Sequence, residues 1–356
     1  MSDAVALDAQ SAFSGVRPVD PGMELDLTAL EAWMAGAVEG YVGPLAVHQF
    51  NGGQSNPTYA LTTPTRAYVL RRKPPGVLLP SAHAVDREHR VIAALYAQGY
   101  PVPRPYALCL DEGVIGTIFY VMHKVEGRIL WDLKLPGVAP DQRRAIYEAQ
   151  VDALAALHAF DPAAIGLSDF GRPGDYFQRQ VDRWSRQYRA SETRSIPAMD
   201  RLIGHLPRTT PTPGRVCVIH GDFRLDNMVL HADRAEVAAV LDWELSTLGD
   251  PMADLAGLLT AWVLPQTLRN GLSGMDVQTL GIPSAQAMIE RYAARTGLRP
   301  ASLDWLYAYS LFRLAAICQG IAGRVRDGTA VSAHARIMAG QVAPLADLAW
   351  GFAGGS

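Results

Sequence analysis

Several features are scarce or absent in this chain of 356 residues, and each absence excludes a class of protein. The three cysteines, Cys109, Cys217 and Cys318, lie far apart without a Cys-x-x-Cys spacing, and the nine histidines form no ligand pattern. The sequence therefore predicts neither a disulfide framework nor a zinc site. No apolar run is long enough to cross a membrane, and residues 1–4 lack the basic-then-apolar pattern of a signal peptide. We therefore expect a cytoplasmic protein with no membrane partner.

Charge and sequence complexity narrow the possible classes further. The net charge of −3 gives no general basic surface, so we expect no nucleic-acid partner. Hydrophobic residues make up 49% and charged residues 19% of the chain, as in an ordinary globular protein, and its length suffices for two lobes. The sequence contains no internal repeat, and residues 1–22, rich in Ser, Ala, Gly and Pro, are predicted to form a mobile tail. The oligomeric state is left open.

Three polar residues follow two short apolar runs in the second half of the chain. Asp222 and Asn227 come after the run at 216–219, and Asp242 comes directly after the run at 237–241. Such runs are typical of buried strands, so each polar residue is expected where a strand ends and a loop begins. A carboxylate can orient or deprotonate an attacking hydroxyl, while an amide oxygen and a second carboxylate can hold Mg²⁺ beside phosphates. This order favours phosphoryl transfer, with Asp222 as the base and Asn227 and Asp242 as metal ligands, over three ordinary turn residues.

The first part of the chain predicts a small antiparallel sheet interrupted by one helix. Apolar patterns between turn residues indicate the strands, and Thr28 and Glu31 form a capping-box pattern that predicts a helix before them. The predicted strands cover residues 45–50, 58–62, 67–72 and 117–122, and the interrupting helix covers about 84–98.

From about residue 126 onward, apolar residues recur mainly at helical spacing. One helix is predicted to start near Pro140, and later helices are predicted at roughly 175–190, 284–296 and 302–326. The predicted fold class is therefore α+β. A sheet-containing N-lobe would cover residues 23–122, and a mainly helical C-lobe with the catalytic and metal loops would cover residues 123–356.

Several motifs resemble those of one group of small-molecule kinases, the aminoglycoside phosphotransferases and choline kinases. The matching segments are His220-Gly221-Asp222 with Asn227, then Leu241-Asp242-Trp243-Glu244 and Gly249-Asp250-Pro251. Within that group, residues 53–59, 68–76, 80–85 and 120–122 resemble the kinase-like domain of acyl-CoA dehydrogenase fusion proteins. The resemblance covers about residues 25–345. It implies a two-lobed protein-kinase-like fold, ATP and Mg²⁺ as cofactors, and a small-molecule hydroxyl acceptor.

The strand at 67–72 is predicted to form one wall of the nucleotide site. Alternate side chains of a strand share a face, so Val69 can cover the adenine while Arg71 reaches the phosphates. Kinases usually carry Lys at this place, and Arg72 or Lys73 could take the role instead. Glu88, on the following helix, is the expected carboxylate partner of Arg71, although a solvated helix charge is the alternative.

Two further segments complete the predicted nucleotide site. The backbone of Gly52 and Gly53 and the hydroxyl of Ser55 can donate to phosphate oxygens, although such a segment can also be an ordinary hairpin turn. The hinge is predicted to follow Met122, with backbone groups of His123 and Val125 bonding the adenine edge.

The acceptor is less clearly indicated. Arg179, Arg183 and Arg186 would share one helical face and could meet an anionic substrate such as a coenzyme A ester, but a solvated face is the alternative. Aminoglycosides are polycations and would favour an acidic cleft. We expect transfer of the ATP γ-phosphate to a hydroxyl, such as that of a hydroxy acid or hydroxyacyl-CoA. An aminoglycoside kinase and a non-catalytic nucleotide-binding regulator are the alternatives.

Overall fold

The computed structural model describes residues 14–51, 56–74, 84–172, 174–268, 270–330 and 332–354. A six-stranded antiparallel sheet occupies the N-terminal part of these ranges, and a mainly helical part follows it, as the α+β prediction requires. No helix in the described ranges combines the length and the hydrophobicity that a membrane span needs.

Four strands of the sheet and two helices around it agree with the predicted elements. The strands are β2 (Ala46–Phe50), β3 (Thr58–Thr62), β4 (Ala67–Arg72) and β6 (Phe119–His123), and the helices are α1 (Leu27–Ala37) and α2 (Val85–Ala97). Two short edge strands, β1 (Val16–Arg17) and β5 (Pro105–Cys109), were not predicted. The strands are ordered β1-β2-β3-β4-β6-β5, and every neighbouring pair is antiparallel.

Two details near the N-terminus differ from the predictions. Val16 and Arg17 pair with β2, so this part of the predicted tail belongs to the sheet, while residues 1–13 lie outside the described residues. Helix α1 is capped by Asp26, whose side chain accepts a hydrogen bond from the N–H of Ala29. The predicted capping box at Thr28 is therefore wrong, because Asp26 is an equally good capping residue and lies two positions earlier.

The two faces of the sheet have different neighbours. Tyr68 and Leu70 of β4 belong to a core that also contains Leu30 and Met34 of α1. On the same strand, Val69 belongs to a second core shared with α2 and the helical part of the chain. The alternation along β4 thus sends one set of side chains to the outer core and the other set toward the rest of the molecule.

The helical part contains eight described α-helices. Four of them agree with the predicted positions: α3 (Pro140–Ala159), α4 (Tyr176–Ala190), α7 (Ala285–Thr296) and α8 (Leu303–Arg326). The others are α5 (Pro197–His205), α6 (Met252–Leu259), α9 (Ala333–Ala339) and α10 (Val342–Phe352). Helix α8 packs against α4, α6, α9 and α10, and it therefore forms the centre of this part of the molecule.

Two small hairpins place the polar motifs. Strand β7 (Cys217–Ile219) pairs with β10 (Thr247–Gly249), and β8 (Met228–Leu230) pairs with β9 (Val237–Val240). The segment with Asp222 and Asn227 connects β7 to β8, and Asp242 lies just after β9. Both motifs therefore begin at strand ends, as the apolar runs predict.

Candidate active site

A cavity of about 210 Å³ lies where the sheet meets the helical part, and we call it the interlobe cavity. Its walls come from β4, α2, β6, the segment after β6, and the ends of β8 and β9. Eight predicted site residues line it: Val69, Arg71, Glu88, Met122, His123, Val125, Asn227 and Asp242. Gly52, Gly53 and Ser55 lie outside the described residues. The fold thus collects one site from residues that are far apart in the sequence.

Arg71 lies at the charged end of this cavity, surrounded by carboxylates. Its guanidinium is 3.2 Å from an oxygen of Glu88, 2.7 Å from one of Asp242 and 3.6 Å from one of Glu244. The side chain of Asn56 donates to Glu244 at 3.2 Å, which connects the start of β3 to the same cluster. Three carboxylates against one guanidinium give a local excess of negative charge that a divalent cation could neutralise.

Glu88 is an internal charge of this cluster. It is 2% exposed and accepts a hydrogen bond from the backbone N–H of Trp243 as well as the ion pair from Arg71. Burial raises the pKa of Glu88 to about 7, although the guanidinium of Arg71 opposes this shift. The alternative prediction of a solvated helix charge is therefore wrong.

Arg72 points to the other face of the sheet. Its guanidinium donates to the carbonyl of Met23 at 3.2 Å and lies over the ring of Tyr59 at 5.3 Å. The predicted strand register, with Arg71 and Val69 on one face, is confirmed. That Arg71 contacts phosphates stays a prediction.

Residues 220–227 form the predicted catalytic loop, and hydrogen bonds join Asp222 to Asn227 within it. The amide nitrogen of Asn227 donates to the backbone carbonyl of Asp222 at 2.9 Å and to its carboxylate at 3.2 Å. Arg224 bridges the carboxylates of Asp222, at 3.2 Å, and Asp226, at 3.3 Å. Because the Asn227 nitrogen is engaged with Asp222, its amide oxygen is the atom that could act as a metal ligand.

Two buried side chains hold this loop in shape. His220 accepts from the N–H of Asp222 through Nδ1, and its Nε2 lies 2.8 Å from the carbonyl of Leu241, so Nε2 carries the proton. Asp254 of α6 accepts from the backbone N–H groups of His220, at 2.6 Å, and Gly221, at 2.8 Å. Burial tends to raise the pKa of Asp254, but hydrogen bonds from His158 and His220 outweigh it, so the pKa is lowered.

Asp250 lies just before α6 and makes local hydrogen bonds. Its carboxylate accepts from the N–H of Met252 at 2.9 Å and from the N–H of Gly214 at 3.3 Å. These bonds hold the start of α6 and the segment before β7. Asp254, and not Asp250, therefore contacts the loop that contains Asp222.

Gly221 is required by local geometry. Its φ is +85°, and a Cβ at this position would lie 2.7 Å from the carbonyl oxygen of Leu245. Any other residue would combine an unfavourable left-handed conformation with a backbone clash. This explains the glycine between His220 and Asp222.

The hinge geometry limits which backbone groups could meet a nucleotide. The N–H of His123 donates to the carbonyl of Arg104 at 2.8 Å, and the N–H of Lys124 donates to the carbonyl of Ala67 at 3.2 Å. The His123 N–H is therefore already engaged, so its carbonyl oxygen is the group that could accept from an adenine amino group. Adenine binding by His123 and Val125 stays a prediction.

A second cavity, of about 300 Å³, opens on the other side of the catalytic loop, and we call it the helical cavity. Asp222 and Arg224 line this cavity, whereas Asp226 and Asn227 line the interlobe cavity. Its remaining walls include residues of α3, α6, α8, α9 and α10. This loop therefore lies between two cavities, with Asp222 lining one and Asn227 lining the other.

The predicted arginine stripe on α4 does not reach either cavity. Neither cavity is lined by Arg179, Arg183 or Arg186. Arg179 donates to the backbone carbonyls of Arg172 and Gly174, and Arg183 lies over the ring of Trp184. Two arginines that line the helical cavity were not predicted. Arg224 lies between Asp222 and Asn227 in the sequence, and Arg313 of α8 lies in a segment without a recognisable motif.

This geometry agrees with the relationships of the chain to known proteins. A family model described as "Phosphotransferase enzyme family" matches residues 46–299. The chain belongs to this family. This membership confirms the predicted family, and the solved structures similar to the chain confirm the predicted two-lobed kinase-like fold.

The relatives of this phosphotransferase fall into two groups. The mouse protein named acyl-CoA dehydrogenase family member 10 is 46% identical over 95% of this chain, but the match covers only 32% of that relative. A crystal structure of a candidate aminoglycoside phosphotransferase from Ralstonia eutropha is 47% identical, with a TM-score of 0.84 over 93% of this chain and 98% of that one. The chain thus spans about a third of the mouse protein and nearly all of the bacterial one.

A more distant structure shares the fold alone. It is a mutant of an aminoglycoside phosphotransferase, APH(4)-Ia, in a ternary complex with AMP-PNP and hygromycin B. The identity is 15% and the TM-score 0.60, over 92% of this chain and 100% of that one.

Proposed function

We propose that the chain transfers the γ-phosphate of ATP to a hydroxyl of a small molecule. The observation that carries this proposal is the position of the catalytic loop between two cavities. Asn227 and Asp242 line the interlobe cavity, and Asp222 lines the helical cavity. Phosphoryl transfer needs this arrangement, because donor and acceptor must meet at one carboxylate from opposite sides.

ATP is proposed as the donor that the interlobe cavity binds. Val69 and Met122 supply apolar walls for the adenine, and Arg71 supplies a cation for the phosphates. The distant fold neighbour was solved with AMP-PNP, an analogue of ATP, which supports the same choice here.

Asn227 and Asp242 suit Mg²⁺ chemically. Both offer oxygen donors to the same cavity, and Mg²⁺ commonly takes one or two protein ligands beside phosphate oxygens and water. When bound, Mg²⁺ would neutralise charge on the transferring phosphate. Asp222 would orient the acceptor hydroxyl and accept its proton. Arg224, paired with Asp222 at 3.2 Å, would help to orient that carboxylate toward the acceptor.

The acceptor is proposed to be a hydroxy acid or a hydroxyacyl-CoA. Among the described lining residues of the helical cavity, Asp222 is the one carboxylate, while Arg224 and Arg313 contribute two guanidinium groups. Such a site favours an anionic or acyl-bearing acceptor over a polycation. The similarity to acyl-CoA dehydrogenase family member 10 supports an acyl substrate. Phosphorylation would also turn a poor leaving hydroxyl into a good one.

An aminoglycoside acceptor is the second candidate, because the bacterial structure with 47% identity is described as a candidate aminoglycoside phosphotransferase. A nucleotide-binding regulator without turnover is the third. Asp222, Asn227 and Asp242 are all in place, so this candidate has no observation in its favour beyond the fold.

The test combines nucleotide binding with turnover. We expect Mg·ATP to raise the melting temperature of the wild-type protein, and Asp242→Ala to abolish most of the increase, because ligands that bind only the folded state stabilise it by mass action. Asp233→Ala, which changes an exposed carboxylate outside both cavities, is the control.

Turnover is then assayed with hydroxy acids, their CoA esters, sugars and kanamycin. The proposal is supported if the hydroxy acids or their CoA esters are phosphorylated and kanamycin is not. Efficient turnover of kanamycin alone restores the antibiotic candidate. An Mg·ATP response without turnover of any acceptor favours the regulator, and equal responses in wild type and Asp242→Ala contradict the metal assignment.

A further inference from the structure

Arg313 of α8 connects the catalytic loop to the helical cavity. One terminal nitrogen of its guanidinium donates to the backbone carbonyl of Gly221 at 2.7 Å, and the same side chain lines the cavity. Gly221 directly precedes Asp222, and consecutive Cα atoms are about 3.8 Å apart. Arg313 is therefore anchored next to Asp222 in the chain, and both residues line the same cavity.

The charge of Arg313 is not balanced by a carboxylate in the described part of the chain, where no acidic side chain lies within ion-pair distance. Arg224, the other arginine of the cavity, is by contrast committed to Asp222 and Asp226. A half-buried guanidinium has several N–H donors, and the Gly221 carbonyl engages one nitrogen. The remaining N–H groups of the Arg313 guanidinium can donate to a ligand in the cavity.

Packing fixes the direction of the guanidinium. Arg313 lies over the ring of Trp184 at 5.7 Å, and Trp184 is 8% exposed. A cation held against an aromatic ring and tied to a backbone carbonyl loses little further freedom when it binds an anion. These properties suit a residue that recognises a ligand group by its geometry.

We infer that Arg313 determines acceptor specificity by binding the acyl oxygen of the acceptor while the acceptor hydroxyl lies at Asp222. This inference rests on the proposed function and deepens it. The acyl oxygen can belong to the carboxylate of a free hydroxy acid or to the thioester carbonyl of a CoA ester, since a guanidinium donates to both. The same side chain positions the catalytic loop through Gly221.

Arg183 provides a matched control. Its guanidinium lies over the same Trp184 ring, at 5.3 Å, but it is exposed and does not line the helical cavity. Arg183→Gln therefore removes the same charge and a similar aromatic contact without changing the cavity.

The experiment compares Arg313→Gln, Arg313→Lys, Arg183→Gln and the wild type. The acceptors are 3- and 4-hydroxybutyrate, their CoA esters, and 1,3- and 1,4-butanediol, which keep the carbon chain and hydroxyl but lack the acyl oxygen. The measured quantity is kcat/KM for each acceptor, at saturating Mg·ATP. The Mg·ATP-induced melting shift of each variant reports on the fold and the nucleotide site.

We expect Arg313→Gln to lower the preference for acyl acceptors over diols by roughly 10- to 100-fold, the size of a lost charge-assisted hydrogen bond. Arg313→Lys keeps the positive charge but not the planar guanidinium, so it should lose less of the preference for acyl acceptors. Arg183→Gln should keep the wild-type preference. A loss for the free acids alone would identify the carboxylate as the bound group, and a loss for the CoA esters alone would identify the thioester.

Other outcomes would overturn the inference. If Arg313→Gln lowers turnover of acyl acceptors and diols equally, Arg313 only positions the loop. If Arg313→Gln does not fold, an unchanged preference in Arg313→Lys contradicts the specificity role. If the wild type phosphorylates none of these acceptors, the proposed acceptor class fails and the inference falls with it.

Discussion

The interlobe cavity and the helical cavity meet at one loop, yet they are built in different ways. The interlobe cavity takes Asn227 and Asp242 from short polar motifs that follow buried strands, Arg71 from β4 and Glu88 from α2. The helical cavity takes its lining from positions spread between Leu133 and Leu345, in residues 222–225, in the stretch 257–270 and in several helices. The first is therefore visible in the sequence, and the second exists only after the helices pack.

This difference also separates the two kinds of chemistry. At the interlobe cavity, Arg71 forms ion pairs with both Glu88 and Asp242. The helical cavity is mainly apolar, with Arg224 and Arg313 near Asp222. In the proposed reaction, one charge cluster is enough to bind a single kind of nucleotide donor. The choice of acceptor depends on the shape of the helical cavity and on a few polar groups.

The largest expected effect is at Asp222, where the two regions meet. Asp222→Asn should lower kcat by roughly 100- to 10,000-fold, because the proton acceptor is lost, while the KM for ATP changes little. Single-turnover and steady-state assays with the best acceptor would measure both. A variant with wild-type kcat would remove Asp222 from the chemical step.

Arg71 and Arg72 test whether the interlobe cavity alone governs nucleotide binding. Arg71→Ala should weaken Mg·ATP binding and lower stability by about 3–5 kcal/mol, because it leaves the buried Glu88 unpaired. Arg72→Ala, on the opposite face of β4, should leave Mg·ATP binding unchanged. Calorimetric titration with Mg·ATP is the measurement, and the reverse pattern would assign the phosphate contact to Arg72.

The smallest effect is expected in the wall of the helical cavity. Met338 of α9 is an apolar lining residue of this cavity, and Met338→Ala enlarges it. The ranking of acceptors by chain length should shift toward longer chains by about tenfold in kcat/KM, with no change in the KM for ATP. Ile337→Ala, at an exposed neighbour outside the cavity lining, is the control. A changed KM for ATP in Met338→Ala would mean that the two cavities are coupled.

Much of the interlobe cavity could be predicted because its sequence signals are local. The alternation in β4 placed Val69 and Arg71 on one face, and the apolar runs before Asp222 and Asp242 placed both at strand ends. The capping of α1 was predicted two residues too late, because Asp26 and Thr28 are both good capping residues and only packing selects one. Strand β1 was missed because two residues leave little pattern, and β5 because it begins with a proline and lacks an alternation of buried and exposed residues.

The sequence by itself determined the phosphotransferase class, the α+β organisation and the order of the charged motifs, since these depend on spacings of a few residues. Tertiary structure alone decided that the α4 arginines lie away from both cavities and that Arg313 contacts the loop at Gly221, the residue before Asp222. The physical reason is distance along the chain. Gly221 and Arg313 are 92 residues apart in the sequence, and the packing of α8 brings them into contact. A sequence pattern of a few residues cannot predict such a contact, because it depends on how the helices assemble.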